Sequence, residues 1–232
     1  MKRFRLKRRT QVRPENGASP NGEMITVDDP TGVTSEAYRV LRTNLFYALE
    51  DPSPRVILLT SPGPKEGKST TCANLGVVLS QAGKRTLVMD CNLHEPHLHE
   101  LFELTNSRGI VNVLAGELDL REVLQEPIPN LKIATAGPIP HDPAELLETR
   151  GFAEFVDRAR RDFDYVLMDS PNVLLGSSPV RTSAEPIILA AHADGVLLVL
   201  DASKVRKGSL QHVVRALETV GANVIGTVLN NA

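Results

Sequence analysis

Gly67, Lys68 and Ser69 stand in a row inside the run Ser-Pro-Gly-Pro-Lys-Glu-Gly-Lys-Ser-Thr at residues 61–70. Small residues in such a loop let successive backbone N–H groups close on an anion, and a helix starting at its end adds the partial positive charge of its N-terminus. Gly67 admits the close approach, with Gly63, Lys65 and Glu66 forming the rest of the cradle. The Lys68 ammonium reaches the outer phosphates, Ser69 offers a hard hydroxyl ligand to Mg²⁺, and Thr70 adds a donor at the inner phosphate. These types at this spacing serve the binding of a nucleoside triphosphate with magnesium. The strict pattern G-x-x-x-x-G-K-[ST] is not met, because its first glycine falls on Pro62. The assignment therefore rests on a strand before the loop and an amphipathic helix after it.

Two aspartates extend the site. Asp169 ends the apolar run Tyr165-Val166-Leu167-Met168, where an acid can hold Mg²⁺ directly or through water. Asp90 ends Thr86-Leu87-Val88-Met89, the strand after the loop's helix. A right-handed crossover brings that strand end to the same rim of the sheet as the loop. There Asp90 is a second metal carboxylate and a candidate base for an attacking hydroxyl. Lys68, Asp90 and Asp169 are thus the expected catalytic groups, and Ser69, Asp90 and Asp169 the expected metal ligands. No N-K-x-D element reads guanine, so ATP is the expected nucleotide, with Asn230 after the last strand as a base contact.

Positioning these groups takes a parallel sheet. Apolar strands are expected at 56–59, 86–89, 131–134, 165–168, 195–200 and 224–229, alternating with helices at 68–82, 143–148, 151–162 and 207–220. Residues 97–124 read as short helical turns. A further helix begins at Ser35, its expected N-cap, with Ala37, Val40, Leu41, Leu45 and Leu49 at spacings of three and four. The fold class is α/β: a doubly wound, mostly parallel sheet of about six or more strands, with helices on both faces. One domain spans 34–232, behind a flexible leader at 1–33.

Composition fits: 41% hydrophobic, 23% charged and only 4% aromatic, so the core is aliphatic. The net charge of −2 hides a basic arm. Lys2, Arg3, Arg5, Lys7, Arg8, Arg9 and Arg13 put +7 on the first fourteen residues, leaving −9 for the rest. Such an arm is drawn to anionic surfaces. Phe4 is its single aromatic among seven basic residues, which ranks nucleic acid below a membrane surface and leaves nucleic acid off the expected partners. Cys72 and Cys91 fall in buried elements, which suits a reducing cytoplasm. No run reaches the roughly 18 apolar residues of a membrane span.

The chain resembles the cytoplasmic kinase of the bacterial tyrosine-kinase family of capsule and exopolysaccharide synthesis. The stretches that carry the likeness are 35–44, 64–70, 87–90, 143–147, 163–169 and 193–198, and the missing first glycine is common in that family. The resemblance implies a P-loop fold, Mg²⁺-ATP, a tyrosine acceptor on a protein, and a transmembrane polysaccharide co-polymerase as activator. Residence would then be cytoplasmic, at the inner face of the membrane through that partner. It also implies a ring-shaped homo-oligomer built by an E-x-x-R-x-x-R stripe, here Glu36, Arg39 and Arg42. The family's D-x-D-x-R element maps to Asp90-Cys91-Asn92-Leu93-His94, which keeps only its first acid. Only Tyr38, Tyr47 and Tyr165 are present, with no tyrosine cluster near the end of this sequence. The expected function is an ATP-dependent autokinase. The alternatives are an ATPase of the septum-positioning and partitioning type, and a catalytically weakened, ATP-binding regulatory subunit.

Overall fold

The computed structural model describes residues 23–48, 55–175, 181–204 and 206–231; the basic arm lies outside them. Seven strands form one sheet: β1 (Arg55–Thr60), β2 (Thr86–Asp90), β3 (Leu124–Ile128), β4 (Leu131–Ala134), β5 (Tyr165–Asp169), β6 (Gly195–Asp201) and β7 (Val224–Asn230). Their order is β3-β4-β2-β5-β1-β6-β7. Every neighbouring pair is parallel except β3–β4. The helices are α1 (Ile25–Asp28), α2 (Val33–Ala48), α3 (Lys68–Gln81), α4 (Leu98–Leu101), α5 (Ile110–Leu114), α6 (Leu120–Val123), α7 (Pro143–Leu147), α8 (Arg150–Asp162), α9 (Glu185–Ala191) and α10 (Lys207–Glu218).

The strands are apolar throughout because both faces are covered. Alternate residues of β1 point to opposite sides. Val56 and Leu58 join Phe152, Val156, Leu189 and Leu217 under α8, α9 and α10, while Ile57 and Leu59 join Leu75, Val78 and Leu45 under α3 and α2. The helix after the phosphate loop is not amphipathic as expected. Eleven of its residues are buried, because α1 and α2 cover the side facing away from the sheet.

Three further readings change. Ser35 does not cap α2, which begins two residues earlier; its buried hydroxyl donates to the carbonyls of Ile25 and Asp29 instead. Residues from Met24 onward, read as leader, pack on α3, with Met24 and Thr26 buried. The Asn74 side chain fastens them, accepting from Thr26 N and Oγ1 and donating to the Glu23 and Thr70 carbonyls. Those four bonds fill the donor and acceptor capacity of the amide. Finally, β3 is an edge strand just past the helical turns expected over 97–124, where no element is assigned, and α9 is likewise a helix where none is assigned.

Candidate nucleotide and phosphoryl-transfer site

Where β1 ends, the chain turns through 61–67 and enters α3 at Lys68. Gly67 has φ of 88°, in the left-handed region that costs glycine nothing, and a Cβ there would sit 2.4 Å from Asn230 Nδ2. Lys65 is also left-handed at φ of 56°. Side chains brace the loop from behind. Glu66, almost wholly buried, accepts from Gly63 N at 2.8 Å and from Asp201 N at 3.2 Å. Asn230 donates to the Glu66 carbonyl at 2.8 Å, and Lys204 donates to the Lys65 carbonyl at 2.8 Å. Lys204 also pairs with Asp201 at 2.9 Å. The hydroxyl of Ser203 and the Lys204 ammonium hold the Asp201 carboxyl well below the usual carboxylate range. Neither Asp201 nor Lys204 was picked out as a loop anchor. Their position at the end of β6, beside the β1 loop in a parallel sheet, is the signal that marks them.

Adjacent to β1, β5 delivers Asp169, and β2 beyond it delivers Asp90 in register with Asp169. Both acids are fully buried, on the rim that carries the loop. Their environments differ. Asp90 accepts three backbone bonds, from Asn92 N at 3.3 Å and from His97 N and Leu98 N at 2.9 Å each. It therefore ties the 91–98 loop and the start of α4, beside Asp169 on the neighbouring strand. Burial, then the neighbouring Asp169 charge, pushes its pKa well up against those bonds. Neither oxygen of Asp169 receives a well-formed hydrogen bond. Burial raises its pKa to about 6, opposed by the Ser69 hydroxyl, Lys68 and His97. Lys68 is buried as well; desolvation lowers its pKa, with Asp169, Glu66 and Glu95 pulling the other way.

A dry, unpartnered carboxylate beside a lysine and a serine hydroxyl is costly without a cation, since a buried charge demands pairing. Ser69 and Asp169 form a hard-oxygen pair of the kind Mg²⁺ takes, with its remaining positions left to water and phosphate. The residues present fit the group that the loop implies.

The remaining predicted positions separate. Asn92, in the place of a second acid, donates to the Glu95 carbonyl at 2.7 Å and accepts from Glu95 N at 3.4 Å, so its side chain closes a turn. His94, in the place of an arginine, meets the buried Glu185 at 2.7 Å, and Glu185 also accepts from Ser183 Oγ. On α2, Glu36 and Arg39 pair at 2.8 Å on the surface, and Arg39 also bonds the Pro30 carbonyl. Arg42 turns inward, donating to the Val78 carbonyl at 3.0 Å. The stripe thus presents two of its three residues outward.

Comparison with known proteins agrees with this fold. The CobQ/CobB/MinD/ParA nucleotide binding domain matches residues 57–232. The tyrosine-protein kinase YwqD of Bacillus subtilis (strain 168) is 34% identical over 220 residues, which cover 94% of this chain and 90% of YwqD. The putative tyrosine-protein kinase EpsB of Ralstonia solanacearum is 35% identical over 204 residues; that region is 88% of this chain but 26% of EpsB. The kinase domain of the Escherichia coli tyrosine kinase ETK superposes with a TM-score of 0.83 at 26% identity, covering 97% of this chain and 86% of that one. The septum site-determining protein MinD of Pyrococcus horikoshii, solved with Mg-ADP, shares the fold at a TM-score of 0.62 and 22% identity. The chain belongs to the CobQ/CobB/MinD/ParA nucleotide-binding family and, within it, to the bacterial tyrosine-protein kinases.

Proposed function

We propose that the site transfers the γ-phosphoryl group of Mg²⁺-ATP to a tyrosine hydroxyl, and that it does so in the regulation of polysaccharide synthesis and export. The observation that carries the reading is the buried, unpartnered Asp169 carboxylate beside Lys68 and Ser69, one strand from Asp90. The loop's backbone N–H groups and the α3 N-terminus bind and orient the phosphates, and Lys68 places its positive charge against the group in flight. Ser69 and Asp169 hold Mg²⁺, which when bound neutralises charge on the phosphate oxygens. Asp90, in register with Asp169 on the neighbouring strand, takes the phenolic proton. Asn230, already anchored on the loop, lies at the nucleotide side of β7.

The wider setting extends the same proposal. A homo-oligomeric ring uses the surface pair Glu36 and Arg39, with Arg42 fixing the helix that presents them. A transmembrane co-polymerase activates the kinase at the inner face of the membrane. Relatives such as EpsB, in which the matched region is part of a much longer protein, support that arrangement. No helix among the described residues is long and apolar enough to cross a membrane.

Incubation of the purified protein with γ-labelled ATP and Mg²⁺ tests the reading. Phosphotyrosine that disappears in Lys68→Met supports it. Free phosphate alone identifies an ATPase, and binding without turnover identifies a regulatory subunit; either result overturns the kinase.

A further inference from the structure

The chain holds three tyrosines, and the structure sorts them sharply. Tyr165 lies inside β5, 5% exposed, its hydroxyl accepting from Arg55 Nη1 at 3.0 Å under the Arg55 guanidinium and beside the Phe46 ring. Tyr38 packs into the core beneath α2, where burial raises its pKa. Phosphorylating either hydroxyl would require opening the core that holds it. Tyr47 is different: it sits in the last turn of α2, 83% exposed. Val40 and Thr43, two turns and one turn before it on the same helix face, are exposed as well, so among the described residues nothing on that face covers its hydroxyl.

From these contrasts we infer that Tyr47 is a phosphoacceptor of this kinase, modified by a second copy of the chain. The inference rests on the kinase reading above. Position dictates that the reaction is intermolecular. Arg55, the first residue of β1, donates to the carbonyls of Leu45 and Phe46, so the end of α2 lies at the rim where β1 begins. The phosphate loop lies where β1 ends, and six residues of strand put roughly 20 Å between the two rims. A hydroxyl on a helix end pinned to one rim does not reach the Lys68 site of its own chain on the other.

In the transfer, the Tyr47 oxygen of one copy forms a bond to the γ-phosphorus of ATP held by the other. The bond from that phosphorus to the β,γ-bridging oxygen breaks, and ADP leaves with the electron pair. The phenolic proton passes to Asp90 of the ATP-holding copy and from there to solvent. The product is a dianionic phosphate at the end of α2, and acidic groups there oppose the negative end of the helix. Modification therefore weakens the last turn of α2 as well as marking it.

Mixing two distinguishable copies tests this. Lys68→Met protein with Tyr47 intact is the acceptor, and Tyr47→Phe protein with Lys68 intact is the donor; a random glutamate–tyrosine copolymer is included as an outside acceptor. The expected result is label on Tyr47 of the Lys68→Met copy by mass spectrometry, and none on a Lys68→Met/Tyr47→Phe copy. Unchanged label in the double variant, or label mapped to Tyr38 or Tyr165 and not to Tyr47, overturns Tyr47. Copolymer labelled by the donor while Tyr47 stays bare rejects Tyr47 alone and leaves the kinase standing. No label on either rejects both.

Discussion

The two rims of the same sheet treat charge in opposite ways. At the rim where the strands begin, charged groups already have partners: Arg85 with Asp164 at 2.8 Å and Lys132 with Glu126 at 2.5 Å on the surface, and Arg55 with the partly buried Tyr165 hydroxyl. A hollow of about 490 Å³ lies there, lined by Arg85, Arg121, Lys132 and Phe163 among others, yet two of its three cations are already paired. At the rim where the strands end, Lys68, Asp90 and Asp169 are buried against each other, and Asp169 has no well-formed hydrogen bond. Neither that hollow nor a larger one of about 680 Å³, lined by Val113, Glu117, Glu154 and Arg158 among others, includes Lys68, Asp90 or Asp169, so volume does not find the second rim. Unmet electrostatic demand chooses the second, because groups that are dry and unpaired raise the free energy of the empty protein and gain most from a ligand.

The contrast is broken most severely at the phosphate lysine. Lys68→Met should lower the rate of phosphoryl transfer by roughly 10²–10³-fold or more, the usual cost of deleting one charge aimed at a developing anion. Initial rates with labelled ATP measure it, and a loss below tenfold would remove Lys68 from the transition state.

Next in size is the loop's backbone. Gly67→Ala sets a Cβ in left-handed backbone 2.4 Å from Asn230 Nδ2. It should weaken nucleotide binding by at least about tenfold and cost about 1–2 kcal/mol of stability. Asn230→Ala combined with Gly67→Ala should recover part of the loss, since the clash is with that amide; thermal denaturation with and without nucleotide reads both.

Asp169→Asn should sharpen the comparison by moving stability and activity in opposite directions. The Asp169 pKa is raised from 3.8 to about 6, so between those values the folded protein holds more protons than the unfolded chain. Stability from this group is therefore greatest below its unfolded pKa and is lost as pH rises through about 6. At pH 7, without metal, Asp169→Asn should stabilise the protein by on the order of 2 kcal/mol while magnesium-dependent turnover collapses. Denaturant unfolding at pH 5 and pH 7 tests the sign. A variant less stable than wild type at pH 7 would mean the carboxylate is not held under strain.

The smallest effect belongs to the other rim. Arg85→Ala removes an exposed pair and should change stability by less than about 1 kcal/mol, shrinking further in high salt, with turnover untouched. A large loss there would erase the distinction between the rims.

Much of this was legible from residue order. Strands buried on both faces read as unbroken apolar runs, and acids closing two of them, Asp90 and Asp169, fall on one rim once the crossovers are right-handed. What stayed hidden depends on tertiary context. Leu124–Ile128 is polar, contains Pro127, and becomes a strand only because β4 offers it an edge. Glu185–Ala191 begins with an acid and a proline ahead of an apolar run too short to separate from a strand, so its helix and the Glu185 partner of His94 went unseen. Thr26 gave no sign of its bond to Asn74, since nothing in sequence links residues 48 apart. Tyr165 shows its burial in sequence through the apolar run that it opens, whereas Tyr38 and Tyr47 share one helix and only the packing of α2 separates them.

Calorimetric titration with ATP, in Mg²⁺ and in EDTA, on wild type and Asp169→Asn, tests most directly whether the unpartnered carboxylate is a magnesium site. The prediction is that Mg²⁺ tightens ATP binding to wild type and leaves Asp169→Asn at the EDTA affinity. Equal magnesium dependence in both proteins, or none in wild type, would contradict it.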